Sequence, residues 1–203
     1  HVVDACVGSG SSADVYRVHR VGATDDPPVP VALKILHADA GTPDRTRERF
    51  DREFDIASRL HHPRIVEVYD RGELTLVSAQ DADQPSGSGV RTRSVHTLWM
   101  TMQYIHGTAA TALIPDRRTE ADVPQVIRIG LDIADALDYA HRRDVIHRDV
   151  KPANIMVNAD DGEVRGYLTD FGIAQLLDDA RPLARNGRVL GSIAYASPEL
   201  LQA

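Results

Sequence analysis

The sequence contains little cysteine, few aromatic residues and no excess of positive charge. Among its 203 residues there is one cysteine, Cys6, so no disulfide can form within the chain, which fits a reducing compartment. The formal net charge of -7 argues against a protein that binds nucleic acid or an anionic membrane surface. No apolar run approaches the length of a membrane span, and no charged-then-apolar leader opens the chain.

The composition that remains is globular, with 42% hydrophobic and 26% charged residues. The length suits one domain or two small lobes with a sizeable core. Because the chain as a whole is acidic, any phosphate recognition must come from local groups of residues.

Residues 144–172 (DVIHRDVKPANIMVNADDGEVRGYLTDFG) place the carboxylates of Asp149 and Asp170, the amide of Asn154 and the lysine Lys151 between short apolar pieces. Asp149 and Asp170 each follow an apolar run, so we expect both in loops at the ends of buried strands. Phosphoryl transfer needs an acceptor for the proton of the attacking hydroxyl, and oxygen ligands that hold Mg²⁺ against the phosphates. Asp149 suits the first role, while Asn154 and Asp170 suit the second. Lys151 would stabilise the negative charge of the transferred group.

These residues resemble the signatures of the eukaryotic-like (Hanks-type) protein kinases, specifically the bacterial serine/threonine kinases. HRDVKPAN (147–154) fits H-R-D-L-x-x-x-N with Val150 in place of leucine, and DFG (170–172) fits without change. The resemblance implies a two-lobed α+β fold. An antiparallel sheet and helix C would form the N-lobe (1–105), and a mainly helical, incomplete C-lobe would follow (106–203).

Residues 2–20 predict a strand, a glycine-rich turn and a second strand. Gly8, Gly10 and Val15 fit the family's G-x-G-x-x-G-x-V, with Ala13 in place of the third glycine. Such small residues let the backbone approach a triphosphate closely. Taken alone, they are more commonly explained by a hairpin turn.

The short apolar run VALKIL (31–36) contains one lysine, Lys34. Read alone, it would be a strand-edge lysine that reaches water. After a glycine loop the run resembles the family's V-A-I-K, whose lysine holds the ATP phosphates. Glu53 is then its predicted partner, with Asp51 and Asp55 as competing candidates and a solvated helix face as the alternative reading.

Two helices are predicted from apolar spacing, over 43–60 and 123–142. Strands are predicted over 65–76 and 96–107, separated by a polar insertion at about 78–94. The apolar residues expected to face the core are Phe50, Phe54, Ile56, Ala57 and Leu60 in the first helix, and Val126, Ile127, Ile133, Ala134, Leu137 and Ala140 in the second.

The resemblance also implies an adenine site at the hinge between the lobes. Met102 would be the gatekeeper, and the backbone from Gln103 to Ile105 would meet the adenine edge. Read without the family, the apolar members are simply core residues. The expected apolar walls of the adenine site are Val7, Val15, Ala32 and Met156.

Residues 173–199 correspond to the activation segment, closed here by Ser-Pro-Glu (197–199). Residues 173–191 contain no Ser, Thr or Tyr, and Ser192 aligns with a residue that contacts the catalytic Asp and Lys. One hypothesis is that Asp178 or Asp179 offers Arg148 a permanent carboxylate in place of a phosphate. The alternative is a disordered loop and a structural arginine.

The function implied is phosphorylation of Ser and Thr hydroxyls of proteins, with ATP and Mg²⁺, in the cytoplasm. A homodimer through the N-lobe is one option among its partners, while nucleic acid is not expected. Three alternatives stay open at this point: a pseudokinase scaffold, a nucleotide-binding fragment that is inactive on its own, and a small-molecule phosphotransferase. The chain is expected to be a segment of a longer protein, and tethering of that protein to a membrane by a region outside the segment is left open.

Overall fold

The computed structural model describes residues 1–10, 13–22, 29–37, 43–79, 92–114, 122–160, 162–171 and 195. Within these ranges the side chains of residues 43–46, 49, 53, 76–79, 92–95 and 160 are not described. The chain divides into two units, His1–Gly41 with Tyr69–Met102, and Thr42–Val68 with Gln103–Ala203. The predicted lobes are continuous in sequence, and their boundary at residue 105 stays a prediction.

The first unit is built on a five-stranded sheet. Its strands are β1 (Val2–Ser9), β2 (Ala13–His19), β3 (Val31–Leu36), β4 (Val68–Ala79) and β5 (Thr92–Gln103). They lie in the order β1-β2-β3-β5-β4. Its strands β2 and β3 pair antiparallel without interruption, whereas the pairing of β1 with β2 shifts register between Cys6 and Gly8. The third strand coincides with the predicted 31–36, but the last two extend into the predicted insertion, because backbone pairing does not require an apolar pattern.

The interior of the first unit is mostly apolar, although Thr97 and Thr101 are also buried. Val18 and Met100 are completely buried, and Leu36 is nearly so. Trp99 on β5 lies against Gly72 on β4, where an added Cβ would come within 2.7 Å of the indole ring. Only glycine leaves room for that ring.

The second unit contains the helices α1 (Pro43–Ala57) and α2 (Val123–His141) and a small antiparallel sheet. The strands are β6 (Thr108–Ala109), β7 (Ile155–Asp160) and β8 (Glu163–Leu168), in the order β6-β7-β8, and two short 3-10 helices span Ala110–Leu113 and Pro152–Asn154. No helix in the described part of the chain is both long and apolar enough to cross a membrane.

The first predicted helix ends earlier than expected but buries most of the predicted face. Phe50, Phe54 and Ala57 are buried in α1, and Leu60 is buried just beyond its end. Ile56 is 37% exposed, so its assignment to the core was wrong. An isoleucine next to the buried stripe satisfies helical spacing only approximately, and exposure of a single apolar side chain is common.

Helix α2 begins at a clear capping signal. The carboxylate of Asp122 accepts a hydrogen bond from the backbone N–H of Gln125 at 3.1 Å, and Pro124 occupies the first turn. Its buried residues are Ile129, Ile133, Ala136 and Ala140, whereas the predicted core residues Val126, Ile127 and Ala134 are exposed.

The error arises because α2 carries apolar residues on more than one side, and periodicity alone cannot decide which stripe packs. In the structure the buried stripe is the one that contains Ile129, which packs against β8. A Cβ added at Gly166 would lie 3.1 Å from the Ile129 side chain. Small residues at these contacts let the helix approach the sheet closely.

Candidate active site

The loop that follows α2 carries the predicted catalytic residues. The chain leaves the helix through Asp144, whose φ of 59° is in the left-handed region, and Val145 N–H donates to the Ala140 carbonyl at 3.1 Å. Residues 145–149 form no strand, and Ile146 is 65% exposed. The expectation that Asp149 follows a buried strand was therefore wrong, because the apolar piece is too short and begins directly at a helix end.

His147 connects this loop to the residues after β8. Its side chain is buried, its Nε2 lies 2.9 Å from the Thr169 carbonyl oxygen, and its Nδ1 lies 3.3 Å from the backbone nitrogen of Asp149. Because a carbonyl only accepts and an N–H only donates, these bonds require a neutral ring protonated at Nε2. Its ring centroid also lies 4.6 Å from that of Phe171.

The electrostatic surroundings of His147 agree with a neutral ring. Burial lowers the pKa of His147 below its ordinary value, and this outweighs the opposing effects of the Thr169 carbonyl and of the nearby Asp170 and Asp149 carboxylates. The histidine thus acts as a hydrogen-bonded connector between two loops.

Asp149, Lys151 and Asn154 form one hydrogen-bonded group. Lys151 Nζ lies 2.7 Å from Asp149 Oδ2, and the side chains are 20% and 10% exposed, respectively. Asn154 Nδ2 donates to the same Oδ2 at 2.9 Å and to the Asp149 carbonyl at 2.8 Å. The carboxylate is thereby held in one orientation by a cation and an amide.

Asp170 reaches the same region because β8 is tied to the catalytic loop. The backbone N–H of Thr169 donates to the Asn154 carbonyl at 3.0 Å. Asp170 follows the end of β8, as predicted, and has a φ of 63°, while Arg148 has a φ of 66°. Left-handed backbone at non-glycine residues is uncommon and concentrates at functional sites.

Strand β8 is itself anchored to α2 and to the segment before β4. Asp132 accepts a hydrogen bond from the Gly166 N–H at 2.9 Å and pairs with Arg64 at 3.3 Å. The Arg64 carbonyl accepts from the Leu168 N–H at 2.8 Å. No role was predicted for Arg64, Asp132 or His147. For Asp132 the sequence did contain one signal, a carboxylate directly before an isoleucine of the predicted core.

The first unit holds the predicted phosphate-binding residues. Gly8 and Lys34 both pair with Val15, on β1 and β3 respectively. Since side chains alternate along a strand, Val15, Lys34 and Ala32 share one face of the sheet. Ala32 is buried there. Val7 lies at the register shift of β1 and is 47% exposed.

The predicted hinge residues lie at the division between the two units. Met102, which is buried, belongs to the first unit, and Gln103 belongs to the second. Gln103 N–H donates to the Glu67 carbonyl at 2.8 Å, Ile105 is buried, and Met156 pairs with Ala109 on β6. The position of each of these residues is thus described within its own unit.

Several predicted residues lie outside the described part of the chain. They are the side chain of Glu53, and Gly172, Asp178, Asp179, Ser192 and residues 197–199 in full. The pairing of Glu53 with Lys34 and the hypothesis on Asp178 and Asp179 therefore stay predictions. Arg148, the other member of that hypothesis, is described and exposed.

The donor set in the second unit suits Mg²⁺ bound to phosphates. Mg²⁺ prefers oxygen ligands, and proteins usually supply only one or two of them beside the phosphates. Asn154 uses its amide nitrogen on Asp149, so its Oδ1 is the atom of the right chemistry for a metal, and Asp170 adds a carboxylate. These residues fit the ion.

Comparison with known proteins gives consistent matches. The family model described as "Protein kinase domain" matches residues 2–203. The serine/threonine-protein kinase PknF of Mycobacterium tuberculosis is 39% identical over 199 residues, which cover 96% of this chain and 36% of PknF. The serine/threonine-protein kinase PknJ of the same organism is 37% identical over 201 residues, which cover 98% of this chain and 29% of PknJ.

Solved structures agree with the sequence matches. The crystal structure of the Mycobacterium tuberculosis PknI kinase domain superposes with a TM-score of 0.60 and 34% identity, covering 84% of this chain and 59% of that one. This likeness confirms the predicted α+β, two-lobed fold class. The chain spans about a third of the length of the curated relatives it matches.

Proposed function

Because this chain belongs to the protein kinase domain family, among the bacterial serine/threonine-protein kinases, we propose that it transfers the γ-phosphoryl group of ATP to Ser and Thr hydroxyls of protein substrates. The observation that carries this proposal is the hydrogen-bonded group of Asp149, Lys151 and Asn154. The cytoplasm is the proposed compartment because it supplies ATP. A homodimer through the N-lobe stays a prediction.

In the proposed reaction Asp149 orients the substrate hydroxyl and accepts its proton. Lys151, 2.7 Å from this carboxylate, stabilises the negative charge that develops on the transferred group. Asn154 and Asp170 would hold Mg²⁺, and the bound ion would neutralise phosphate charge. Asn154 thus serves two purposes, since its amide nitrogen also orients Asp149.

The first unit supplies the proposed grip on ATP. Lys34 binds the phosphates, Glu53 pairs with Lys34, and Gly8 and Gly10 let the backbone approach the triphosphate. The shared sheet face of Val15, Ala32 and Lys34 supports this assignment. The remaining proposed contacts with adenine come from Val7, Val15, Ala32, Gln103, Ile105 and Met156.

The test of this function is transfer of labelled phosphate from ATP to a basic generic protein, followed by identification of the modified amino acids. We expect phosphoserine and phosphothreonine without phosphotyrosine. Asp149→Asn is the control and should lower the rate about 10²- to 10⁴-fold while nucleotide binding persists. Turnover by this variant comparable to that of the wild type would refute the assignment of Asp149. Nucleotide binding without any transfer by the wild type would favour a scaffold.

The proposed metal ligand can be separated from the proposed charge stabiliser by titrating Mg²⁺. Asn154→Ala should raise the Mg²⁺ concentration for half-maximal rate about tenfold or more. Lys151→Ala should lower kcat about 10²-fold with an unchanged Mg²⁺ requirement, because lysine contacts the phosphoryl group and not the ion. Equal Mg²⁺ requirements in the two variants would remove Asn154 from the metal site.

A further inference from the structure

Asp14 lies at the base of the glycine-rich turn, and its carboxylate contacts two side chains that are distant from each other in the sequence. Ser9 Oγ donates to Asp14 Oδ1 at 2.6 Å, and His37 Nε2 lies 3.1 Å from Asp14 Oδ2. Ser9 is the last residue of β1, Asp14 is on β2, and His37 directly follows β3. One carboxylate therefore connects three consecutive strands at the end that carries the turn.

The sheet register shows that Asp14 acts from the face opposite the predicted phosphate-binding residues. Ser9 pairs with Asp14, and Gly8 pairs with Val15, which in turn pairs with Lys34. Since side chains of successive residues point to opposite faces, Asp14 and Lys34 lie on different sides of the sheet. A carboxylate on the Lys34 side would repel a triphosphate, and this placement avoids that.

The turn is rich in glycine. It contains Gly8 and Gly10, which lose more backbone freedom on ordering than other residues do. The one backbone bond described across the turn joins Gly10 N–H to the Ala13 carbonyl at 3.0 Å. The Ser9 hydroxyl, and then His37, keep the pKa of Asp14 below its ordinary value, so the carboxylate is ionised at neutral pH.

We propose that Asp14 is a positioning residue for nucleotide binding, whose carboxylate fixes Ser9 relative to His37 and so preorganises the glycine-rich turn for the triphosphate. Preorganisation strengthens binding because less freedom is lost when the ligand arrives. The inference rests on the proposed function for the identity of the ligand, ATP. It adds a residue that does not touch the nucleotide.

The same hairpin provides a matched control at its other end. Asp4 on β1 lies 2.7 Å from His19 Nδ1 and 3.6 Å from Arg17 Nε. Like Asp14, it is a partly exposed aspartate paired with a histidine, but it lies at the other end of the hairpin, where Val3 next to it pairs with Val18 near the end of β2. Asp4→Ala therefore removes an equivalent contact far from the turn.

The experiment measures the Kd for ATP by direct titration of the whole chain, together with KM and kcat. We expect Asp14→Ala to raise the Kd and the KM for ATP about five- to tenfold, with kcat within about twofold. Asp4→Ala should leave the Kd unchanged. Asp14→Asn keeps an acceptor for Ser9, so it should bind ATP more tightly than Asp14→Ala does. Ser9→Thr keeps the hydroxyl, so it should bind ATP more tightly than Ser9→Ala does.

Two further outcomes complete the test. Ser9→Ala combined with Asp14→Ala should bind ATP no more weakly than either single variant, because both remove one contact. Wild-type affinity in Asp14→Ala, or an equal loss in Asp4→Ala, would overturn the inference while leaving phosphate transfer intact. If the wild-type chain binds ATP but transfers no phosphate, only the proposed function is contradicted. If it binds no ATP, both the proposed function and the role of Asp14 are contradicted.

Discussion

His147 illustrates how one buried side chain joins two functional loops. It accepts a hydrogen bond from the Asp149 N–H and donates one to the Thr169 carbonyl, so it touches the residue before Asp170 as well. Both bonds require the neutral ring. Protonation would place a second donor opposite the Asp149 N–H and a charge in a buried site.

The lowered pKa of His147 predicts a loss of stability on mild acidification. The unfolded histidine titrates near 6.5, and the folded one titrates lower, so below pH 6.5 the unfolded state binds more protons. The free energy of unfolding should therefore fall as pH drops from 6.5 towards the folded pKa, by up to about 1.4 kcal/mol per pH unit. Below the folded pKa this contribution is fully lost.

Urea unfolding at pH values from 7.5 down to about 5 would measure this effect. His147→Gln has no titrating ring, so its stability should fall less steeply than that of the wild type over the same range. Parallel curves for the two proteins would show that His147 does not contribute to the pH dependence.

At the level of single elements, the sequence pattern predicts what depends on local order and misses what depends on packing. The position of β3 and the start of α2 follow from residues within each segment. The buried face of α2 does not follow from its own residues, because packing against β8 buries Ile129 and leaves Ile127 exposed. The support of β8 by Arg64 and Asp132 was likewise beyond prediction, since these residues are far apart in sequence.

The contact between Gly107 and β7 gives a prediction for a single element. An added Cβ would overlap the Val157 carbonyl oxygen and lie 2.7 Å from its carbonyl carbon. Backbone atoms cannot rotate away, so Gly107→Ala should destabilise the second unit by about 3 kcal/mol through displacement of β6 or β7. The measurement is the free energy of unfolding of the second unit in urea, followed by the circular dichroism of its helices.

Gly130 on α2 is the matched control, because nothing lies within 4 Å of an added Cβ there. Gly130→Ala should stabilise the protein by about 0.5–1 kcal/mol through helix propensity alone. If both substitutions changed stability by the same small amount, the close approach at Gly107 would be contradicted.

The chain divides into two units, and each has buried residues of its own. The second unit has a contiguous buried cluster that includes Ile65, Ile133 and Leu168. The first unit presents β1 as an edge strand with seven of its eight residues exposed. We therefore expect the first unit to be the less stable of the two.

Trp99, the single tryptophan, lies in the first unit, whereas α1 and α2 both belong to the second. Intrinsic fluorescence therefore reports the unfolding of the first unit, and the circular dichroism of the helices reports the unfolding of the second. In urea the fluorescence midpoint should precede the dichroism midpoint by roughly 0.5 M, and coincident transitions would show a single cooperative unit. Gly107→Ala should move only the dichroism curve. The indole packed on Gly72 thus serves as a built-in optical label for one half of the chain.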